Sequence, residues 1–236
     1  MTPWYRRWGR RRVDPAGILG SILPTRILDH QSPEIQALAA RAAGLAVGEG
    51  PRSVLQAAHA IIRDEVRPVY ALDETTPASR TLARGFGSCS QRLAILESVA
   101  RAAGVRTRVR ALLIDGSFWY PRFPRIGRLL PDRVMIAWPE FLLGEWEPAS
   151  ELFGPIGCQG GGRFANSGAE TLFEAAGRCA VDWDGRSSDS AYDLSPFVRA
   201  DHGYFASRDE LFARLGQTLC APLRVVVDPI ARRIAA

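Results

Sequence analysis

One cysteine, Cys89, lies where a glycine-rich stretch meets a helical pattern. The residues from Gly85 to Ser90 read GFGSCS, and Gly87 stands two places before the thiol. A helix N-terminus carries a positive partial charge and free N–H groups, which favour a thiolate over a thiol. The same N–H groups can receive the oxyanion of a tetrahedral intermediate. Cys89 is therefore a candidate nucleophile, and the alternative is a buried cysteine that only begins a helix.

The other three cysteines lie far apart in the sequence: they are Cys158, Cys179 and Cys220. None belongs to a C-x-x-C pair, and no histidine stands at a zinc-ligand spacing from them. We therefore expect no structural zinc site and no other metal or cofactor. Reduced cysteines are usually small buried hydrophobic residues, which is the expectation for these three.

The chain has three histidines that could serve as a base. His30 precedes the first predicted helix and His59 lies inside the second beside its apolar face, so structural roles are favoured for both. His202 lies in a stretch interpreted as irregular, where functional side chains are often carried. A histidine base is held in one tautomer by a third group. Asp115, after a predicted strand, can do this, although Asp115-Gly116 is also a turn dipeptide.

Helices are predicted in the first part of the chain. Ser32 caps the first, with Pro33 at its first position. The second spans about residues 53–66 and presents apolar residues on one face. The third begins near Cys89 and ends before residue 104, so the candidate nucleophile opens a helix.

Strands follow the helices. Residues 116–132 are predicted to be an irregular insertion rich in proline, arginine and aromatic residues, and 154–168 a glycine-rich loop. Helices then precede antiparallel strands, which indicates an α+β fold. The strands are predicted at 105–114, 133–143, around residue 146 and at 222–228, with further helices at about 169–179 and 207–219. We expect a basic N-terminal arm over 1–23 and a single domain over 24–236.

The charge is unevenly distributed. All 30 basic residues are arginine, the acidic residues number 25, and the formal net charge is +5. Five arginines lie within residues 6–12, which leaves the rest of the chain balanced. A nucleic-acid-binding domain is therefore not expected. The N-terminal arginines form either a solvated arm or an electrostatic handle for an acidic partner. No apolar run is long enough to span a membrane or resembles a secretory signal, so we expect a cytoplasmic protein.

From Pro24 to Glu151 the chain resembles the transglutaminase-like superfamily of papain-type cysteine enzymes. The most specific part is GFGSC, which ends at Cys89 and is followed by a leucine-containing helix and a strand. The other matching segments are ILDH at 27–30, AAHAII at 57–62, Ala78-Ser79 and RAAGVRTR at 101–108. The resemblance implies that Cys89 is the nucleophile and that its helix packs on an antiparallel sheet.

The chain departs from this family at the base. The family continues with a strand that carries a histidine two residues before a tryptophan, and with an acidic residue on the next strand. In this chain Ile136 stands two residues before Trp138. Either the chain is a non-catalytic relative, or its base comes from elsewhere.

The order Cys89, Asp115, His202 resembles the triad of Dieckmann cyclases that off-load tetramate and pyridone chains from polyketide–peptide assembly lines. The resemblance implies that a carrier-bound β-ketoacyl-aminoacyl thioester acylates Cys89. His202 would remove protons, a role that histidine commonly has in catalysis. The carbon between two carbonyls would then attack the acyl-cysteine and close a tetramic acid. No cofactor is required.

The implied partner is an acyl or peptidyl carrier protein domain that presents a small-molecule thioester. Carrier domains are typically acidic, so the N-terminal arginines or Arg122, Arg125 and Arg128 are candidates for docking. The aromatic residues of 118–123 and the loop 154–168 are candidates for an apolar channel and a lid, or for surface packing.

Two other functions remain open. One is a hydrolase, amidase or acyltransferase that uses the same cysteine, and the other is a non-catalytic binding module, which Ile136 favours. If Cys89 is activated, iodoacetamide should label it far faster than the other three cysteines.

Overall fold

The structure is a computed structural model that describes residues 19–123, 131–155, 164–168, 170–178, 181–186, 193–219 and 221–231. Within these residues, helices come first and an antiparallel sheet follows, which is the predicted α+β arrangement. Of the described helices, none is long and apolar enough to cross a membrane.

Four helices precede the sheet, and the fourth is central. Ser32 caps the first by accepting a hydrogen bond from the Ile35 N–H, as its position predicted. The fourth packs against the other three, and its residues 91–101 are all buried. The helices are α1 (Pro33–Leu45), α2 (Pro51–Glu65), α3 (Ala78–Arg84) and α4 (Cys89–Ala102). Helix α3 was not among the predicted helices.

The main sheet has four antiparallel strands in the order β5-β4-β3-β6. A two-residue parallel pair, β1 (Arg67–Pro68) and β2 (Phe86–Gly87), immediately precedes α4. The four strands are β3 (Thr107–Asp115), β4 (Arg133–Leu142), β5 (Trp146–Pro148) and β6 (Val198–Phe205). The first three were predicted. Strand β6 was not, because polar and apolar residues do not alternate clearly along it.

The two faces of the sheet differ because successive side chains of a strand point to opposite sides. One face is apolar and packs against α4 and α6 (Arg208–Leu215). It carries Val109, Ala111, Leu113, Met135, Ala137 and Phe205. The other face is partly charged and lines a cleft of about 440 Å³. It carries Arg108, Arg110, Trp138, Glu140 and Tyr204.

The C-terminal part contains one wrong prediction. Residues 222–228 form part of a helix, α7 (Ala221–Ala231), and not a strand. The run of valines at 225–227 favours a strand only weakly, and Pro222 suits the first turn of a helix. The helix predicted near 169–179 is the short α5 (Leu172–Ala176), and the one predicted at 207–219 is α6, which ends earlier.

The insertion predicted to be irregular begins with a 3₁₀ helix, Gly116–Arg122. At the N-terminal end, Ser21 exchanges two backbone hydrogen bonds with Thr107 at 2.9 and 3.0 Å, so part of the predicted arm lies beside β3. The division into an arm and a domain at residue 24 stays a prediction, because residues 1–18 lie outside the described part.

Candidate active site

Cys89 is the first residue of α4, as the sequence predicted. Ser88 caps the helix through a capping box with Gln91, in which each side chain binds the other residue's backbone N–H. Gly87 fits a tight space, since a Cβ at this position would lie 2.6 Å from Cγ2 of Thr81. The loop that presents the thiol is therefore held by both hydrogen bonding and packing.

The thiol of Cys89 is protonated at neutral pH. Burial and, to a smaller extent, the charge of Glu174 raise its pKa from 9.0 to about 12, against Arg92 and a backbone hydrogen bond from Phe173. The residue keeps some accessible surface, but it packs against the apolar core. The helix N-terminus alone therefore does not produce the thiolate that the sequence led us to expect, because burial has the larger effect.

Helix α5 is fixed on α4 by a buried ion pair next to Cys89. The fully buried Arg92 pairs with Glu174, and its guanidinium lies 4.2 Å from the centre of the Phe173 ring. Glu174 also closes a capping box with Thr171 at the start of α5. Burial would raise the pKa of Glu174, but these partners hold it below its ordinary value. The segment that covers the thiol is thus anchored by charge.

His59 is the histidine that shares the surroundings of Cys89. Its Nε2 lies 2.7 Å from the carbonyl oxygen of Phe173, and the two rings stack at 4.3 Å. Burial and, to a smaller extent, the charge of Arg92 lower the pKa of His59 from 6.5 to about 4, against the hydrogen bond to the Phe173 carbonyl. The residues that act on both side chains are Arg92, Phe173 and Glu174. Sequence reasoning favoured a structural role for His59, because it lies beside the apolar face of its helix. The approach of Phe173, which is 114 residues away in the chain, was not predictable.

Asp115 lies at the end of β3, as predicted, but it contacts neither Cys89 nor a histidine. Its carboxylate accepts hydrogen bonds from the Ser117 N–H at 2.8 Å and from Nε of Arg199 at 2.7 Å. Burial would raise its pKa, but Ser117 and Arg199 lower it overall. It therefore acts as the cap of the 3₁₀ helix and as half of an ion pair.

His202 lies within β6 and is 1% exposed, not in an irregular segment. Its neighbour Asp201 is the Cα partner of Leu112, three residues before Asp115 on β3. At about 3.3 Å per residue, His202 and Asp115 are separated by roughly 10 Å or more along the strands. The structure does not bring them together, so their shared catalytic role stays a prediction from the sequence.

The positions where the resembling family carries its histidine and its acid are occupied differently. Ile136 is the Cα partner of Leu112 and packs, partly buried, against the core. The acidic residue of β5, Glu147, forms an ion pair with Arg52 of α2. Neither position offers a base to Cys89.

Several other predicted candidates have contacts of their own. His30 lies in the turn before α1, and burial and then Arg101 lower its pKa. Phe118 is buried and packs on Trp119 and Phe197 at 4.7 and 5.4 Å, so it is part of the core and not of an open channel. Arg122 donates to Asn166 at 2.8 Å.

The remaining predicted candidates lie outside the described residues. These are the arginines of residues 6–12, Arg125, Arg128, the thiols of Cys158, Cys179 and Cys220, and residues 156–163 of the glycine loop. In the part of the chain that is described, no group of three or more potential ligands could hold a metal ion.

No protein-family model and no curated protein matches the sequence. Among solved structures, the chain is similar to a protein from Cytophaga hutchinsonii described as a "putative cysteine protease", with 18% sequence identity and a TM-score of 0.39. The match covers 58% of this chain and 44% of the other, so the chain spans less than half the length of that protein. A likeness of this extent assigns neither a family nor an activity.

Proposed function

We propose that the chain is an enzyme that transfers acyl groups through a covalent intermediate on Cys89. The observation that carries this proposal is the position of Cys89 as the first residue of α4. The N–H groups of Cys89 and Ser90 have no acceptor within the helix, so they can bind the oxyanion formed during acylation. The resemblance to transglutaminase-like enzymes supports the same role for this cysteine.

In the acylation step, the sulfur of Cys89 attacks the thioester carbonyl of a carrier-bound chain. The bond between that carbonyl and the carrier sulfur breaks, and the proton of Cys89 ends on the carrier thiol. Because the pKa of the Cys89 thiol is about 12, this proton leaves as the new bond forms and not before. The substrate also has to displace the backbone of Phe173 from the thiol.

The specific reaction that we propose is a Dieckmann condensation. The carbon between two carbonyls loses a proton, attacks the acyl-cysteine carbonyl, and expels the sulfur of Cys89, which takes up a proton. A five-membered tetramic acid results, without oxidation or reduction. The packing of Cys89 against the apolar core supports cyclisation over hydrolysis, because an enclosed acyl-enzyme meets its tethered carbanion more often than water.

A histidine is needed to move the proton between carbon and sulfur. The order of residues in the sequence favours His202, and the contacts around Cys89 favour His59. His202→Ala should lower kcat if His202 is the base, whereas His59→Gln should mainly raise KM if His59 binds substrate. A large fall in kcat for His59→Gln alone would transfer the proton-shuttle role to that residue.

The proposed partner is an acidic acyl or peptidyl carrier domain. Arg122 already donates to Asn166 and to the carbonyl of Gly168 at 3.0 Å, so it is a poor docking residue. Electrostatic steering is therefore proposed for the arginines of residues 6–12, with Arg125 and Arg128 as the other candidates.

The test is the product formed from a simple N-acetylcysteamine thioester of a β-ketoacyl amino acid. The purified protein should release a tetramic acid, which differs from the hydrolysis product by one water in mass spectrometry. Cys89→Ala run in parallel excludes spontaneous closure. Free acid as the main product would establish a cysteine hydrolase instead, and the absence of any product would favour a non-catalytic binding module.

A further inference from the structure

A cavity of about 260 Å³ is lined by residues of α2, of α5 and of the segments next to α5. We call it the His59 cavity. Its lining includes His59, Arg63, Phe153, Glu170, Glu174 and Arg178. It is smaller than the sites that hold drug-sized molecules, so it suits a small chemical group or part of a chain.

His59 presents a hydrogen-bond acceptor to this cavity. Its Nε2 bonds a carbonyl oxygen, which can only accept, so Nε2 carries the proton and Nδ1 of the neutral ring has a lone pair. The side chain is 3% exposed, and Nδ1 has no hydrogen-bond partner in the part of the chain that is described. An acceptor that faces a small cavity is stabilised when a ligand donates to it.

Gly177 leaves the acceptor accessible. This residue also lines the cavity, and a Cβ at its position would lie 2.6 Å from Cε1 and 3.2 Å from Nδ1 of His59. Its φ of −81° is ordinary for any residue, so backbone conformation does not require glycine at this position. Glycine is required because a side chain would fill the space in front of the His59 imidazole.

The charges around the cavity are already compensated. Arg178 pairs with Glu170 at 2.7 Å, Glu174 pairs with Arg92, and Arg63 pairs with Asp64 at 2.7 Å. A ligand with a net charge would have to break one of these pairs, whereas a neutral ligand would not. Phe153, whose ring lies 5.1 Å from that of His59, supplies an apolar surface.

We propose that the His59 cavity binds a neutral secondary amide, the group that links the acyl and aminoacyl parts of the substrate, with the amide N–H donating to Nδ1 of His59. The guanidinium groups at the rim supply donors for the amide carbonyl. The link to catalysis rests on the proposed function. It follows from Glu174, which lines the cavity and pairs with Arg92, three residues after Cys89 on α4.

The test uses the full chain with Cys89→Ala, labelled with ¹⁵N-histidine, and two neutral probes that differ in one N–H. N-acetylglycine methyl ester should shift the Nδ1 resonance of His59 in a saturable manner. N-acetylsarcosine methyl ester lacks the N–H and should bind at least about tenfold more weakly, the effect of one lost hydrogen bond. Equal affinities, or shifts confined to His30 and His202, would overturn the proposal.

Gly177→Ala provides the matched variant, because its methyl group occupies the space beside Cε1 of His59. It should lose the shift while its urea unfolding curve stays cooperative. If it does not fold, Ala60→Leu fills the cavity from the half-buried side of α2 and should have the same effect. Undiminished binding in a folded variant contradicts the proposal. Binding is measured without turnover, so a failure to bind the amide leaves the proposed cysteine chemistry intact. A protein that binds the amide but forms no product contradicts only the proposed function.

Discussion

Helix α4 takes part in two arginine–glutamate pairs that lie in regions of different character. Near its start, Arg92 pairs with Glu174 of α5, beside Cys89. Near its middle, Glu97 pairs with Arg208 of α6. The side chain of Glu174 is 20% exposed, whereas that of Glu97 is fully buried.

The two carboxyl groups respond to their surroundings in opposite ways. Burial raises the pKa of Glu97 and outweighs the attraction of Arg208. Burial acts on Glu174 in the same direction, but Arg92 and Thr171 outweigh it, and the pKa falls. In the described residues, Oε2 of Glu97 has no hydrogen-bond partner. The Glu97 region is therefore part of the closed core, while the Glu174 region borders a cavity.

The largest expected effect is on turnover, and it distinguishes Cys89 in the Glu174 region from the next residue, Ser90, in the Glu97 region. Cys89→Ala should reduce turnover of the thioester substrate by on the order of 10³-fold or more, because no other group replaces a covalent nucleophile. Ser90→Ala is the matched control, since Ser90 accepts a hydrogen bond from Arg208 at 2.8 Å and belongs to the other region. It should keep most of the activity. Steady-state kinetics measures the turnover of both variants. Near-normal turnover by Cys89→Ala would show that Cys89 and the region around Glu174 do not carry the reaction.

A smaller effect concerns stability and pH in the Cys89 region. The pKa of His59 is 6.5 in the unfolded chain and about 4 when folded, so the unfolded state binds a proton first. The free energy of unfolding should therefore fall as the pH drops from 6.5 to 4. Each pKa unit is worth about 1.4 kcal/mol, which gives a loss of about 3 kcal/mol. Urea unfolding at several pH values should show this loss in the wild type.

His59→Gln lacks this titration and serves as the control. Its stability at pH 7 is expected to be lower, but the part of the pH dependence that His59 causes should be absent. If the free energy of unfolding has the same pH dependence in both proteins between pH 6.5 and 4, His59 is solvated. It would then not be a desolvated hydrogen-bond acceptor for a ligand in the cavity.

The contrast between the two glutamates can be sharpened by labelling. Cys89 should react slowly with iodoacetamide at pH 7, because its pKa is about 12. Glu174→Gln removes a nearby negative charge and should speed the reaction by on the order of tenfold. Glu97→Gln, in the other region, should leave the rate unchanged. Mass spectrometry of the Cys89 peptide measures both rates, and equal acceleration would show that the two regions are coupled.

Local signals in the sequence were sufficient for the elements that present Cys89. Caps and the helical spacing of apolar residues predicted α1, α2 and the start of α4. The change from helical to strand-like spacing predicted β3 and β4. The same signals failed for α7, where the preference of valine for strands is weaker than the surrounding context. They also failed for β6, which mixes polar and apolar residues and is specified by pairing with β3.

The environment of the thiol was not predictable from the sequence for a different reason. Arg92 and Glu174 are 82 residues apart, and their contact depends on how α5 returns to α4. The helix N-terminus is a local property and favours a thiolate, whereas burial is a property of the whole fold and favours the thiol. The order Cys89, Asp115, His202 likewise carries no information about which side chains meet.

The smallest expected effect concerns a third acid–arginine pair, Asp115 with Arg199, which lies outside both regions. The side chain of Arg199 is 58% exposed, and exposed pairs contribute at most about 1 kcal/mol. Asp115→Asn keeps an oxygen that can accept from the Ser117 N–H, so the 3₁₀ helix retains its cap. We therefore expect a change in unfolding free energy below about 1 kcal/mol and nearly unchanged turnover.

In an assembled triad, replacing the acid with its amide costs about 10⁴-fold in kcat, since the histidine takes the wrong tautomer. Kinetics of this one variant thus distinguishes the two arrangements: a loss of that size would bring Asp115 and His202 together in the working enzyme and would require β6 to shift along β3.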